Sequence, residues 1–188
     1  MGRVRVHSFI LVLLAVSAGP CAAQNYARAE YFGDWQYVCF FAEQNEHPSN
    51  CSLTHIAHVE HANALQSALE ITIVKNDDQG ASSDLSLIVR TPLDVALSNG
   101  FGMRIDRRSR EVFPYRNCST QGCFVKIPLT RDRDNRLKRG YWAKFVVEMM
   151  SEETFEISVS LIGMTKALNA LSSNEIPAGP KLKVLSDA

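Results

Sequence analysis

Hydrophobic and polar residues alternate with a period of two along much of this chain. In the clearest stretch, Phe155, Ile157, Val159 and Leu161 alternate with polar side chains. Because successive side chains of a strand point to opposite faces, this pattern predicts a half-buried β-strand. The pattern recurs at three other places: Trp35-x-Tyr37-x-Cys39-x-Phe41, Leu69-x-Ile71-x-Ile73 and Leu85-x-Leu87-x-Val89.

Two further segments, 123–127 and 142–148, are rich in β-forming residues and are predicted as strands. Turn-forming residues separate the predicted strands at 76–80, 98–100 and 121–122. Many short strands at this spacing are typical of an antiparallel sandwich or barrel. We therefore expect a mainly β fold, an antiparallel β-sandwich with one short internal helix and one C-terminal helix.

The two helices are predicted from their capping residues. The internal helix follows Thr130, a good N-cap, and runs through Arg139, with Gly140 placed to end it. Acidic residues lie near its start and basic residues near its end. The C-terminal helix begins near residue 164, and Thr165 is its predicted N-cap. Leu168 and Leu171, three residues apart, are expected to pack on the sheet.

The N-terminus has the organisation of a secretory signal. Arg3 and Arg5 precede an apolar run of eight residues, and small residues follow it. We expect residues 1–23 to be cleaved before Gln24, leaving one domain over 24–172 and a flexible tail over 173–188. The apolar run is far shorter than the ~18 residues needed to span a bilayer, and no later segment comes close, so no transmembrane segment is expected in the mature chain.

The mature chain is close to neutral. Removal of 23 residues from 188 leaves 165, with 18 Lys and Arg against 20 Asp and Glu, a net charge of about −2. This balance argues against a nucleic-acid partner.

The positive charges are nevertheless clustered in two stretches, which read either as solvated turns and a helix face or as a contact for an anionic glycan or lipid headgroup. Interleaved acidic residues weaken the second interpretation. The candidate binding surface is Arg104, Arg107, Arg108, Arg110 and Arg116, and the second stretch holds Arg131, Arg133, Arg136, Lys138 and Arg139.

The mature chain has four cysteines, Cys39, Cys51, Cys118 and Cys123. Three pairings are possible, and closeness in sequence favours Cys39–Cys51 and Cys118–Cys123. Neither pair has the spacing of a zinc framework or of a two-residue redox motif. Two structural disulfides are therefore expected, in an oxidising compartment.

No motif in the sequence indicates catalysis, a metal or a cofactor. His55, His58 and His61 are three residues apart, which suits neither a strand nor a helix as a metal-binding face, and surface positions are expected. The sequence has no Gly-x-Ser-x-Gly elbow and no Gly-rich phosphate loop. A pair of carboxylates from distant parts of the chain remains open. Trp35 and Trp142 each start an apolar strand, and both are expected in the core.

Four segments together resemble the invasion-associated locus B family of exported bacterial proteins. The first is Phe32-Gly33-Asp34-Trp35, followed by Cys39 and Cys51, and the second is 91–100, which continues into Met103-Arg104-Ile105-Asp106. The third begins with Tyr115-Arg116-Asn117-Cys118 and Gly122-Cys123 and continues through Pro128-Leu129 to Leu137-Lys138-Arg139-Gly140. The fourth is 157–171. The resemblance covers about residues 31–172. It departs at Asp94, where a glycine is expected, and at Met164, where an aromatic residue is usual.

The resemblance implies a small β-sandwich-like domain that is exported, periplasmic or associated with the outer membrane or cell surface, or secreted. It links the chain by name to bacterial entry into host cells and supplies no catalytic residues. Our leading hypothesis is a disulfide-stapled, non-enzymatic envelope or secreted protein that binds an unidentified protein or anionic surface in the envelope or on a host cell. The alternatives are an enzyme acting on envelope polymer, and a structural or stress-related periplasmic protein.

Overall fold

The computed structural model describes residues 25–42, 45–61, 64–76 and 84–183, without the side chains of 59–61 and 64–68. The predicted signal segment, most of the predicted turn at 76–80 and the last five residues lie outside this part of the chain. Among the described residues, no helix is both long enough and apolar enough to cross a membrane.

The described residues form twelve strands and two α-helices. The strands are β1 (Tyr26–Phe32), β2 (Trp35–Phe41), β3 (Asn50–His61), β4 (Ala64–Lys75), β5 (Leu85–Thr91), β6 (Phe101–Ile105), β7 (Glu111–Phe113), β8 (Asn117–Ser119), β9 (Gly122–Pro128), β10 (Trp142–Glu148), β11 (Thr154–Ser160) and β12 (Lys181–Lys183). The helices are α1 (Arg131–Arg139) and α2 (Met164–Ser173), and a short 3-10 turn lies at Leu97–Asn99.

Two antiparallel sheets make up the fold. The first has the strand order β12-β1-β2-β3-β4-β5-β9-β8, and the second has the order β11-β10-β6-β7. All the strand pairs are antiparallel. This arrangement confirms the predicted class, a mainly β antiparallel sandwich with one internal and one C-terminal helix.

One continuous hydrophobic core lies between the two sheets and α2. The alternation predicted for β2 is observed, since Trp35, Tyr37, Cys39 and Phe41 are all buried. The indole Nε1 of Trp35 donates to the backbone oxygen of Ser160 at 2.9 Å, which ties the first sheet to the second. Buried side chains of β10 and β11, such as Phe145, supply the opposite side of the core.

The prediction for Trp142 is wrong. In β10, Ala143, Phe145 and Val147 face the core, so Trp142 and Lys144 lie on the outer face. Trp142 is 49% exposed. Apolar residues occur on both faces of this segment, so the sequence did not show which face is buried. A one-residue shift along a strand exchanges its two faces.

The helices are found where the sequence predicts them, with one difference in capping. Thr130 Oγ1 accepts from the Arg133 amide at 3.4 Å, and Gly140 follows the last residue of α1. The N-cap of α2 is Gly163 and not Thr165, whose hydroxyl donates to the Lys138 oxygen at 2.7 Å. Leu168 and other apolar residues of α2 are buried against the first sheet, as expected.

Gly163 is required where α2 begins. Its φ of +87° lies in the left-handed region, and a Cβ there would collide with the Phe32 backbone oxygen at the β1–β2 turn. Gly33 is required for the same reason: its φ is +64°, and a Cβ there would collide with the Ile162 backbone oxygen. The two turns can approach this closely because both positions are glycine.

The segment after α2 crosses the first sheet. Pro177 is buried, the Ala178 amide donates to Glu30 Oε2 at 3.1 Å, and Lys181–Lys183 pair with β1. Part of the segment predicted as a tail thus supplies an edge strand of the first sheet. The flexibility of residues 173–188 and the domain boundary at 172 stay predictions.

Two disulfides join neighbouring strands, with the predicted connectivity. Cys39–Cys51 links directly opposed residues of β2 and β3, and Cys118–Cys123 links opposed residues of β8 and β9. The first is buried in the core, whereas Cys118 is exposed at the edge of the sheet.

Candidate binding surface

The turn between β6 and β7 is held against the start of β10. Asp106 has a φ of +52°, a left-handed conformation that Asp tolerates better than most residues. Its carboxylate Oδ1 accepts from the backbone amides of Tyr141 at 3.1 Å and Trp142 at 3.0 Å, and its own amide donates to the Trp142 oxygen at 2.9 Å. These bonds place Arg107 and Arg108 beside the two aromatic residues.

Two cavities border this turn and share some of its residues, and we call them together the arginine groove. The larger, about 790 Å³, is lined by Arg104, Asp106, Arg107, Arg108, Tyr141, Trp142 and Lys144. The smaller, about 320 Å³, lies against α1 and is lined by Ile105, Asp106, Arg108, Asp132, Asn135, Arg136, Arg139 and Gly140. Asp106 and Arg108 line both cavities. The two arginine-rich stretches of the sequence therefore meet at one surface.

Some of the positive charges in the groove are already paired. Glu156 accepts from Lys144 Nζ at 2.7 Å and from Arg104 Nη2 at 2.9 Å. These hydrogen bonds, that from Lys144 first, lower the pKa of the Glu156 carboxyl. Arg136 bonds Glu111 at 3.0 Å and also contacts Asp132.

Three arginines of the groove remain free for a ligand. Arg107, Arg108 and Arg139 are exposed, and none of them forms an ion pair with any described residue. In addition, Arg104 and Lys144 share a single carboxylate. The two cavities are lined by six cationic side chains and two carboxylates, and Glu111 and Glu156 adjoin them. The groove is therefore positive overall.

Two aromatic side chains border these cations. Tyr141 is 74% exposed and Trp142 is 49% exposed. Neither residue was predicted from the sequence as a site residue. The available signal was the alternation of Trp142 and Lys144 with the apolar residues of β10, which places the indole on the charged face of the strand.

The five arginines predicted as a binding surface divide into two sets. The structure brings Arg104, Arg107 and Arg108 together in the groove. Arg110 lies 3.8 Å from Glu148 and its aliphatic stem packs over Gly102, while Arg116 lies just before β8. Neither of these two lines the groove. Whether any of the five contacts a partner stays a prediction.

The histidines lie apart from this surface. His55 is on β3, where its Nδ1 is 2.9 Å from the Asp34 backbone oxygen and its ring packs beside Trp35 at 5.4 Å. His47 and His58 are exposed, and the side chain of His61 lies outside the described residues. In the part of the chain that the structure describes, no three His, Cys, Asp or Glu residues are grouped as metal ligands would be.

The fold and this surface define a small two-sheet β protein, with two local disulfides and a basic groove on the outside of the smaller sheet. The chain belongs to the invasion associated locus B (IalB) family, whose model matches residues 35–172. This match confirms the resemblance stated from the sequence.

A crystal structure of invasion associated protein B from Bartonella henselae has a similar fold. The TM-score is 0.62 at 20% sequence identity, over 78% of this chain and 97% of that one. At this identity the likeness shows the fold alone. No curated protein matches the sequence.

Proposed function

We propose that this chain is an exported, disulfide-stapled protein of the bacterial envelope or its surroundings, which works by binding and catalyses no reaction. Its contact surface is the arginine groove, and its partner is an anionic molecule in the envelope or on a host cell. The observation that carries the proposal is the concentration of unpaired arginines and exposed aromatic residues around one surface depression. Exposed aromatic side chains and Arg are the residues most enriched at binding sites.

The family name and the printed name of the Bartonella henselae protein both refer to invasion. We extend that role to this chain as part of the proposal: the protein promotes entry into host cells from a periplasmic, outer-membrane-associated or secreted position. The two disulfides and the predicted signal support export. No cofactor, metal or nucleic acid is part of the proposal.

Retention of the mature protein on intact host cells and on isolated bacterial envelopes tests this proposal. Arg107→Glu with Arg108→Glu reverses two unpaired charges of the groove, and Arg116→Glu with Arg131→Glu makes the same charge change outside it. We expect the first pair to reduce retention about tenfold or more, and the second pair to leave it within twofold. Equal retention of both double variants would overturn the choice of surface.

One observation supports an enzymatic alternative. Asp106 and Asp132 both line the smaller cavity, and paired carboxylates across a cleft are the usual arrangement for hydrolysing a glycosidic bond. Here Asp106 holds two backbone amides and Asp132 contacts Arg136, so each carboxylate already has a structural partner. Release of fragments from purified envelope polysaccharide by the wild-type protein, and not by Asp132→Asn, would favour this alternative.

A deletion strain distinguishes our proposal from the third alternative, a structural or stress-related periplasmic protein. An envelope defect without any loss of host entry would favour it. Our proposal predicts the reverse, with entry restored by the wild-type gene and by the Arg116→Glu, Arg131→Glu variant, but not by the Arg107→Glu, Arg108→Glu variant.

A further inference from the structure

The geometry of the arginine groove points to a ligand class: an acidic polysaccharide, whose sulfate or carboxylate groups bind the free arginines while its sugar rings pack on Tyr141 and Trp142. This inference rests on the proposed function and names the chemistry of its partner. It draws on the shape of the groove, its charge and its aromatic wall.

The shape suits an extended chain. The larger cavity of about 790 Å³ and the smaller one of about 320 Å³ both fall within the range of small-molecule sites. They share Asp106 and Arg108, so a linear ligand that occupies both cavities would pass this turn. A polymer of several sugar rings fills such a path, whereas a single small anion would use only a fraction of it.

The charge suits a ligand with spaced acidic groups. Arg107 and Arg108 lie on the turn, and Arg139 lies at the end of α1 in the smaller cavity. Guanidinium groups form paired, charge-assisted hydrogen bonds with planar carboxylates and with sulfate or phosphate oxygens. Since these three cations lie along the groove and are not gathered at one point, they match acidic groups repeated along a chain.

The aromatic wall suits sugar rings. Trp142 projects from the outer face of β10 next to Lys144, and Tyr141 precedes it. Each presents a large apolar surface with one polar tip, the indole N–H or the phenol O–H. A pyranose ring has the complementary character, with C–H groups on its faces and hydroxyls around its rim. Exposed aromatic surface beside cations therefore fits an acidic sugar better than an inorganic anion.

The same features argue for a polysaccharide over a lipid surface. A bilayer is flat, and it attracts clusters of unpaired Lys and Arg on a protruding face. In this protein Arg107 and Arg108 lie in a depression beside Tyr141 and Trp142, and Arg104 and Lys144 are engaged by Glu156 on the sheet. The near-neutral net charge of the mature chain also makes non-specific adhesion to polyanions weak.

A heparin-derived octasaccharide, which carries both sulfate and carboxylate groups, is a suitable probe. Titration calorimetry and acrylamide quenching of tryptophan fluorescence would be measured on the mature, oxidised protein. Trp35 is buried, so a change in quenching reports on Trp142. We expect binding that weakens as salt concentration rises, and protection of the exposed tryptophan from acrylamide. The variant Trp142→Phe is the optical blank.

Two double variants that remove the same number of charges test whether the octasaccharide binds in the groove. Arg107→Ser with Arg108→Ser should weaken octasaccharide binding about tenfold or more, and Arg116→Ser with Arg131→Ser should leave it within about twofold. Circular dichroism would verify that all variants are folded. A neutral glucan octasaccharide, vesicles containing phosphatidylglycerol and an oligothymidylate complete the comparison.

The inference is overturned if the octasaccharide does not bind, if both double variants weaken its binding equally, or if vesicles or oligothymidylate bind the groove as tightly. Absence of octasaccharide binding, together with loss of cell retention in the Arg107→Glu, Arg108→Glu variant, would overturn the ligand class and leave the proposed function standing. Selective binding of the octasaccharide, lost only in the groove variant, would support it.

Discussion

At the scale of single residues, the hydroxyl of Tyr37 is a polar group in the core that hydrogen-bonds to two backbone oxygens. Tyr37 is fully buried on β2, and its hydroxyl lies 2.8 Å from the Glu175 backbone oxygen and 3.2 Å from that of Ala170. It therefore fastens the end of α2 to the first sheet. Burial, followed by the negative charges of Glu175 and Glu30, raises the pKa of Tyr37 to about 12.

This shift predicts a loss of stability at high pH. The pKa in the folded protein is above the ordinary value of 10.0, so the stabilisation is complete below pH 10 and disappears as the pH rises towards 12. Two pKa units correspond to about 3 kcal/mol. Urea unfolding between pH 8 and 12 should show this decline in the wild type. At pH 8 the free energy of unfolding of Tyr37→Phe should be about 1 kcal/mol lower than that of the wild type. Its decrease between pH 10 and 12 should be smaller, because the ionising hydroxyl is gone. An identical decrease in both proteins would contradict this assignment.

Asp106 is the residue on which the groove depends. Asp106→Ala removes the acceptor of two amides and places alanine at a φ of +52°, so we expect a loss of about 2 kcal/mol in the free energy of unfolding. Asp106→Asn keeps one acceptor oxygen and tolerates this φ, so its loss should be less than half as large. Denaturant unfolding of both variants measures the difference. Equal losses would show that the carboxylate does not hold the turn.

At the scale of elements, the two disulfides act on parts of the sheet that differ in burial. On a chain-entropy model, the pair closing a separation of 12 residues contributes about 3 kcal/mol and the pair closing 5 residues about 2 kcal/mol. Cys39→Ala with Cys51→Ala also leaves space in the core, whereas Cys118 lies at an exposed edge. The midpoint temperature of thermal unfolding should therefore fall distinctly further for Cys39→Ala with Cys51→Ala than for Cys118→Ala with Cys123→Ala. The opposite order would contradict this account.

The elements also show what could be predicted from sequence. Strands with one face in the core, such as β2 and β11, were found because burial of one face produces alternation. β6 was missed although Phe101, Met103 and Ile105 alternate with Gly102 and Arg104, because the strand is short and a glycine in its interior weakens the strand pattern. β12, with the sequence Lys-Leu-Lys, is a strand only because the edge of β1 is there to pair with it.

The site was predictable only in part, for a similar reason. The arginines stand out in the sequence, but their ion pairs join positions far apart, as between Arg104 and Glu156. Nothing local distinguishes these paired arginines from the unpaired Arg107 and Arg108. Nor does the sequence alone show that α1 would be packed next to the β6–β7 turn, bringing Arg139 to the groove.

At the scale of the whole molecule, the two faces of the smaller sheet have different tasks. Its inner face closes the core, and its outer face, with the adjoining turn and α1, carries the arginine groove. The larger sheet packs against the inner face through the shared core, and the Trp35 indole donates to the Ser160 oxygen to join the two sheets. The basic, aromatic groove on the outer face is suited to binding an anionic partner.

Photo-crosslinking tests this central claim most directly. The photoreactive residue p-benzoylphenylalanine would replace Tyr141, which is 74% exposed in the groove, or Tyr31, which is 68% exposed beside a different cavity. Each mature protein would be irradiated on intact host cells and on bacterial envelopes. We predict crosslinked products from position 141 that disappear with Arg107→Glu and Arg108→Glu, and few from position 31. Products from position 31 alone, or from neither position, would contradict the account.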